Sequence, residues 1–132
     1  IYADWQSAGA PPPEVILQAA IDCGCSAILL DTFDKAGGTI INFLSPGELS
    51  QILGAARAAG LMTVLAGSLT LALTRELLPL AADFVAVRGA VCRAGRVGTV
   101  DETLVASFAE ILLSTREGTN HFSPPAKATF AA

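Results

Sequence analysis

The sequence predicts an α/β fold in which short buried strands alternate with helices. Apolar runs of strand length recur at residues 27–30, 62–65 and 84–87, and helical apolar patterns lie between them. A glycine or a charged residue follows each run, at Asp31, Gly67 and Arg88. A fourth strand end is predicted at Asp4, near the start of the sequence. These ends are 27, 36 and 21 residues apart. Such spacing, about one βα unit each, is typical of a parallel sheet with right-handed crossovers.

The first half of the chain contains two predicted helices with clear start signals. Residues 1–5 are expected to be the end of a strand. Residues 13–14 start a helix, because proline fits the first turn and glutamate favours the positive end of the helix dipole. That helix is expected to end at residues 23–24, where glycine follows cysteine. Residues 45–48 (SPGE) form a capping box that starts the next helix, which runs to residue 60.

The second half of the chain repeats the pattern and then changes in composition. The elements predicted there are a helix at residues 74–80, a basic glycine-containing loop at 95–99 and a closing helix at 100–115. From residue 116 onward the residues are mainly Gly, Thr, Ser, Pro and Ala, which predicts a flexible tail. Residues 1–115 are therefore the predicted domain, and residues 116–132 are the tail.

Composition and charge exclude several classes of function. A chain of 132 residues suffices for one ordinary domain. Its net charge of −4 argues against nucleic acid, which requires a basic face. The 17 uncharged residues from 58 to 74 are interrupted by Gly60 and Gly67, so strand, loop and helix start explain them better than a membrane span does. No signal peptide is recognisable, and a cytoplasmic location is expected.

The three cysteines do not have the spacing of a metal or redox site. Their small, odd number predicts a reducing compartment and small buried thiols. Cys23 and Cys25 are separated by one residue rather than the two of a CxxC motif, and only His121, in the tail, could assist Cys92 or either of them. No metal is therefore expected.

Residues 31–38 (DTFDKAGG) are the main candidate for a chemical site. They directly follow a buried strand, and they combine two carboxylates with Lys35, one of only two lysines in the chain. Glycine lets the backbone approach a ligand, and lysine can bind phosphate or form a Schiff base. The alternative interpretation is a solvated loop with an Asp31–Lys35 ion pair. Asp4 is a further possible site residue, because it ends a predicted strand, whereas Asp34 is expected to face solvent.

Two loops after the last two predicted strands form a candidate phosphate site. They contain Gly67-Ser68 and Arg88-Gly89. Ligands bind at this end of the strands in both barrels and open sheets, and in (β/α)8 barrels the loops after strands 7 and 8 frequently hold phosphate. The Ser68 hydroxyl and the Arg88 guanidinium could both donate hydrogen bonds there. The alternative is two tight turns and an Arg88 ion pair. The pattern does not match a Walker loop or a dinucleotide fingerprint.

Asp31 and Lys35 are the predicted catalytic residues beside that phosphate. Acting as a base or an amine nucleophile would require burial or a nearby cation, so that Lys35 could release its proton. Without such an environment Lys35 would serve as a clamp for a phosphate or an oxyanion.

Four sequence blocks resemble the (5-formylfuran-3-yl)methyl phosphate synthase family. They are residues 2–4 (YAD), 31–37 (DTFDKAG), 65–69 (LAGSL) and 87–92 (VRGAVC), within a resemblance that covers residues 1–115. The resemblance implies a TIM barrel to which this chain contributes about four βα units, strands 5–8. It also implies a carbon–oxygen lyase of methanofuran biosynthesis without metal or organic cofactor. Its phosphosugar substrate would be glyceraldehyde 3-phosphate, of which two molecules condense with loss of phosphate and water.

The resemblance also implies roles for individual residues. Asp31 and Lys35 would be active-site residues. The residues implied to bind substrate phosphate are Gly67, Ser68, Arg88 and Gly89. Family members are substantially longer, and the lysine thought to form the Schiff base lies in a block that this sequence lacks.

That difference in length predicts association with other chains. The sequence is expected to be a fragment or a processed product. An open half-barrel exposes sheet edges and an apolar face, so we expect a homo-oligomer or pairing with the missing N-terminal half. The alternative function is a non-catalytic half-barrel that binds a phosphorylated metabolite or assembles with partner chains. A third possibility is another barrel of the phosphosugar aldolase type.

Overall fold

Helices and strands alternate along residues 1–114, the part of the chain that the computed structural model describes. The elements are α1 (Trp5–Ala8), α2 (Pro13–Asp22), β1 (Ala27–Leu30), α3 (Pro46–Ala58), β2 (Met62–Leu65), α4 (Leu71–Leu77), β3 (Phe84–Val85) and α5 (Glu102–Ser114). Short 3-10 turns occur at Ile40–Asn42, Leu78–Leu80, Gly89–Val91 and Gly95–Val97. The tail predicted at residues 116–132 lies outside the described residues.

The three strands form a parallel sheet in the order β1-β2-β3. Leu29 pairs with Val64, and Val64 pairs with Phe84, so these residues form one row across the sheet. At the outer edge of β1, Tyr2 makes a parallel bridge with Asp31. The N-terminal segment therefore lies beside β1, as a strand end would. The predicted α/β alternation with parallel strands is confirmed, and neighbours along the chain are neighbours in the sheet, as successive βαβ units require.

The sheet has one buried face and one open face. Leu30 and Leu65 point to the buried face and are 0% and 2% exposed, and Leu49 and Leu53 of α3 are fully buried with them. Side chains in the row formed by Leu29, Val64 and Phe84 point to the opposite face, and Leu29 and Phe84 are 44% and 43% exposed. Within the described residues, this second face therefore presents apolar side chains to solvent.

The predicted capping box starts α3. The Ser45 hydroxyl accepts a hydrogen bond from the Glu48 N–H at 3.3 Å, and the Glu48 carboxylate accepts one from the Ser45 N–H at 2.8 Å. Hydrogen bonds from the Ser45 hydroxyl and then from its N–H lower the pKa of the Glu48 carboxyl. Both halves of the box are therefore present, and the helix start was predictable from local sequence alone.

Several other element boundaries differ from the predictions. The predicted start of α4 at residue 74 was wrong, because the Thr70 hydroxyl accepts a hydrogen bond from the Leu73 N–H at 3.1 Å and starts the helix earlier. The closing helix was predicted to start at residue 100, but α5 starts at Glu102, because the Asp101 carboxylate accepts a hydrogen bond from the Leu104 N–H at 3.1 Å. The strand predicted at residues 84–87 is shorter, since only Phe84–Val85 pairs as strand β3.

Two predictions about the cysteines and the apolar segments can be compared with the structure. Cys23 and Cys25 are exposed after the end of α2, so the expectation of buried thiols was wrong for both, whereas Cys92 is buried. None of the helices within residues 1–114 has the length and apolar character that a bilayer span requires.

Candidate functional site

A cavity of about 510 Å³ lies at the carboxyl ends of the strands. The residues predicted for catalysis or phosphate binding all line it, namely Asp31, Lys35, Gly67, Ser68, Arg88 and Gly89. They come from three loops that are distant in sequence. Parallel strands end at the same edge of a sheet, so the topology brings these loops together.

Lys35 is held in the cavity by oxygen acceptors of the preceding loop. Its Nζ donates to the Asp31 carboxylate at 2.5 Å, to the Thr32 carbonyl and, at 3.4 Å, to the Thr32 hydroxyl. The Lys35 and Asp31 side chains are 24% and 26% exposed. Three acceptors around one nitrogen match the three N–H donors of an ammonium group. The ion pair foreseen as the alternative interpretation does form, and both of its residues line the cavity.

Asp31 is fixed on both its backbone and its side chain. The Asp31 N–H donates to the Ile1 carbonyl at 2.9 Å, and the Asp31 carbonyl accepts from the Ala3 N–H at 2.8 Å. Its carboxylate also accepts from the Thr32 N–H at 2.8 Å. The carboxylate that holds Lys35 is therefore set in place by sheet pairing on one side and by its own loop on the other.

Asp4, a possible site residue on sequence grounds, does not line the cavity. It lies instead against the backbone of the loop that carries Lys35. Its carboxylate is buried and accepts hydrogen bonds from the Phe33 and Asp34 N–H groups at 2.6 and 2.8 Å. Burial of the carboxyl raises the pKa of Asp4, but these two hydrogen bonds and the charge of Lys35 outweigh burial, so the pKa is lowered. Asp4 thus anchors the loop that presents Lys35, while Asp34 is exposed, as predicted.

Asp4→Asn is expected to weaken the dependence of stability on acid pH. Since the pKa of Asp4 is lowered in the folded state, its ionised form contributes stability fully above its unfolded value of about 3.9. This contribution is lost as the pH falls further, through the lower folded-state pKa. Urea denaturation across acid and neutral pH measures the effect. The wild type should lose free energy of unfolding steeply at low pH, and the variant less steeply.

Glu76→Gln is the matched control, because Glu76 is an exposed carboxylate for which residues 1–114 provide no hydrogen-bond partner. The control should keep the wild-type slope. Asp101 contributes to that slope as well, since its hydrogen bond with Arg93 lowers the pKa of its carboxyl. Equal slopes in wild type and Asp4→Asn would contradict the anchoring role of Asp4.

The Gly67-Ser68 loop adopts an uncommon backbone conformation beside the cavity. Gly67 has φ +99°, and Ser68 has φ +53°, which a residue with a side chain rarely adopts. The Gly67 carbonyl accepts from the Ile40 N–H at 3.0 Å. A Cβ at Gly67 would lie 2.8 Å from the Cβ of Ile40. Glycine is therefore required for the loop to pack here, and strain at Ser68 is of the kind that clusters at functional sites.

Arg88 and Gly89 contact a segment that the sequence did not mark as part of the site. The Arg88 Nε donates to the Arg96 carbonyl at 3.0 Å, and a Cβ at Gly89 would lie 3.5 Å from the backbone nitrogen of Arg96. Arg96 itself lines the cavity. The sequence indicated only that Arg96 belongs to a basic, glycine-containing loop at residues 95–99. It did not indicate that this loop folds back toward the cavity. Thr32, the second residue that holds Lys35, was missed because a single threonine after an aspartate carries no motif.

Comparison with known proteins identifies similar sequences over most of the chain. The family model described as "4-HFC-P synthase" matches residues 1–109. The chain is 37% identical over 112 residues to the (5-formylfuran-3-yl)methyl phosphate synthase of Methanobrevibacter smithii, which covers 83% of this chain and 47% of that protein. The corresponding protein of Methanocaldococcus jannaschii is 36% identical over 112 residues, 83% of this chain and 48% of its own length.

A third relative, the (5-formylfuran-3-yl)methyl phosphate synthase of Methanothermobacter thermautotrophicus, is 34% identical over 113 residues, 84% of this chain and 48% of the relative. The resemblance drawn from the four sequence blocks is confirmed. The chain spans about half the length of the curated relatives it matches.

Proposed function

Because the chain belongs to the 4-HFC-P synthase family, we propose that it forms part of an enzyme that makes (5-formylfuran-3-yl)methyl phosphate from glyceraldehyde 3-phosphate. The observation that carries this proposal is the meeting of three loops in one cavity, where a lysine–carboxylate pair lies with two glycine-containing loops and Arg88. Such a site can hold a phosphate and donate a proton beside it, which are the two tasks the reaction requires.

The composition of the product fixes the balance of the reaction. It contains six carbons, four of them in the furan ring, and one phosphate ester. Two triose phosphates supply six carbons and two phosphates. Their condensation therefore releases one inorganic phosphate and two molecules of water, with no net oxidation or reduction. The enzyme must stabilise a departing phosphate and protonate leaving oxygens, and both steps need positively charged hydrogen-bond donors at the site.

In this proposal Lys35 is a donor, and Asp31 is its partner. The Lys35 Nζ lies 2.5 Å from the Asp31 carboxylate and has further acceptors on Thr32. An ammonium group held in this way can stabilise negative charge on a carbonyl or phosphate oxygen, which would replace the long 3.4 Å contact with the Thr32 hydroxyl. When Lys35 gives a proton to a leaving oxygen, Asp31 can take up a proton released from the substrate and pass it to the amine, which restores both groups. The same contacts leave Lys35 poorly placed to attack a carbonyl. A lysine that forms a Schiff base with the substrate would then lie outside residues 1–114.

The Gly67-Ser68 and Arg88-Gly89 loops are the proposed site for a substrate phosphate. Within residues 1–114, only the Nε of Arg88 donates to protein, at 3.0 Å to the Arg96 carbonyl, which leaves its terminal guanidinium nitrogens for a ligand. The left-handed backbone at Gly67 and Ser68 turns the loop toward the cavity that both residues line. Backbone N–H groups and an arginine fork are the donors that phosphate prefers.

We also infer that the parallel strands belong to a (β/α)8 barrel. Support comes from the consecutive parallel order of the strands, from the exposed apolar row that contains Leu29 and Phe84, and from the coverage of about half of each relative. The inner face of a barrel is packed with such side chains. The remaining βα units would cover this face, supplied either by a longer protein or by a second copy.

Incubation with glyceraldehyde 3-phosphate tests the proposal. Two readouts are followed, phosphate release and the ultraviolet absorbance of a furan aldehyde. The samples are the chain alone and the chain mixed with the N-terminal half of the Methanobrevibacter smithii relative. The intact relative is the positive control. We expect the two products to rise in equal amounts once the barrel is completed, and light scattering to show association. If the intact relative formed the furan and the mixture with this chain did not, the proposal would be contradicted. Phosphate binding without furan formation would favour the non-catalytic alternative.

A further inference from the structure

Arg96 lies at the tip of a hairpin that reaches the cavity. Residues 92–100, hereafter the hairpin, have ends that pair as an antiparallel bridge between Cys92 and Val100. Inside this bridge the Arg93 N–H donates to the Thr99 carbonyl at 2.9 Å. The 3-10 turn Gly95–Val97 forms the tip. The hairpin therefore presents Arg96 on an ordered turn rather than on an extended loop.

The base of the hairpin is fixed to the start of α5. The Arg93 Nε donates to the Asp101 carboxylate, which is buried, and the Asp101 N–H donates to the Val91 carbonyl at 2.8 Å. A Cβ at Gly98 would collide with the Arg93 carbonyl, so the two arms of the hairpin approach as closely as glycine permits. These contacts set the direction in which the tip points.

At the tip, the backbone of Arg96 is held while its side chain is left free. The Arg96 carbonyl accepts from the Arg88 Nε at 3.0 Å, and Gly89 packs against the Arg96 backbone. Arg96 lines the cavity, yet within residues 1–114 its guanidinium makes no hydrogen bond or ion pair. Two other arginines differ, since Arg93 pairs with Asp101 and Arg57 donates to the backbone carbonyls of residues 80 and 81, which follow α4.

Arg96 increases the positive charge of the cavity above what its other residues provide. Lys35, Arg88 and Arg96 line the cavity together with a single carboxylate, Asp31, which Lys35 already engages. This excess of positive charge occurs in a chain whose net charge is −4. A phosphate ester carries about two negative charges near neutral pH, and the planar guanidinium fork matches its oxygens.

We propose that Arg96 binds the substrate phosphate from the hairpin side of the cavity and thereby selects a phosphorylated aldehyde over an unphosphorylated one. The inference rests on the proposed function and adds a specificity-determining residue to it. The Gly67-Ser68 loop contacts the phosphate through backbone groups, and Arg88 and Arg96 supply side-chain charge from the opposite side. Glyceraldehyde, which lacks the phosphate, gains nothing from Arg96.

Arg96→Ala is the direct test, because the hydrogen bond from Arg88 goes to the Arg96 backbone carbonyl, which the substitution keeps. Titration of inorganic phosphate into the full chain, followed by NMR, should show binding about 10- to 100-fold weaker than in the wild type, as expected for the loss of charged hydrogen bonds. Arg96→Lys keeps the charge but loses the fork, so it should recover only part of the affinity.

Arg75→Ala is the matched control, since Arg75 is an exposed arginine outside the cavity. It should bind phosphate as the wild type does. In the completed enzyme, Arg96→Ala should lower kcat/KM for glyceraldehyde 3-phosphate, whereas glyceraldehyde, which has no phosphate to bind, should inhibit the wild type and the variant equally weakly. Wild-type affinity in Arg96→Ala would overturn the role of Arg96 and leave the proposed phosphate site standing. A wild-type chain that does not bind phosphate would overturn both.

Discussion

Lys35→Ala is expected to lower the turnover of glyceraldehyde 3-phosphate in the completed enzyme by about 10²- to 10⁴-fold. The substitution removes the donor that lies 2.5 Å from the Asp31 carboxylate and lines the cavity. If Lys35 acts on the transition state, kcat and kcat/KM should fall together. Phosphate release and furan absorbance measure both constants in the same assay.

The magnitude of this effect separates chemistry from stability. A loss of 10²- to 10⁴-fold corresponds to about 3–5 kcal/mol of barrier. The ion pair of Lys35 with Asp31 is partly exposed, and such pairs contribute about 1 kcal/mol or less to folding. The Lys35→Ala protein should therefore remain folded while it loses activity. Arg75→Ala, which removes a cation outside the cavity, should keep wild-type turnover, and unchanged turnover in Lys35→Ala would rule out a catalytic role for Lys35.

Borohydride trapping then distinguishes the two kinds of chemistry open to a lysine. With three acceptors around its Nζ, we expect Lys35 to give no adduct when the enzyme and glyceraldehyde 3-phosphate are treated with borohydride. An adduct on a lysine of the added N-terminal half would fit the donor role of Lys35. A mass adduct on Lys35 itself would show that it is the Schiff-base residue and would contradict our assignment.

Local signals predicted those parts of the fold whose causes are local. The strands at residues 27–30 and 62–65 have the predicted bounds, because a short apolar run between polar loops leaves few alternatives. The start of α3 was predictable because the Ser45–Glu48 box satisfies its own backbone donors. The short helix α1 was not predicted, since Asp4 directs its carboxylate to the distant residues Phe33 and Asp34 rather than to a local cap.

The same distinction applies to the candidate site. Asp31, Gly67 and Arg88 could be placed from the sequence, because each follows a strand and the parallel topology brings strand ends together. Arg96 could not, since its place depends on the pairing of Arg93 with Asp101 and on contacts that are set only after the chain has folded. Residues positioned by a strand end were thus visible in the sequence, whereas a residue positioned by a loop that folds back was not.

Gly67→Ala is expected to lower the free energy of unfolding by about 2–4 kcal/mol, from overpacking and from the strain of a positive φ. The added methyl group would lie 2.8 Å from the Ile40 Cβ and 3.3 Å from the Thr32 Cγ2. Both neighbours are fully buried, at 0% exposure, and cannot move aside. Their displacement would also disturb Thr32, which holds Lys35, so inorganic phosphate should bind more weakly. Urea denaturation and NMR titration measure the two losses.

Gly54→Ala provides a control of opposite sign on the same chain. Gly54 lies inside α3, and a Cβ there would have no atom within 4 Å. Alanine is favoured over glycine in a helix, so this variant should gain about 0.5–1 kcal/mol of stability. If Gly67→Ala were as stable as the wild type, the positive φ and the close approach to Ile40 would be wrong. A loss of stability with phosphate affinity unchanged would keep the packing argument and separate this loop from the phosphate site.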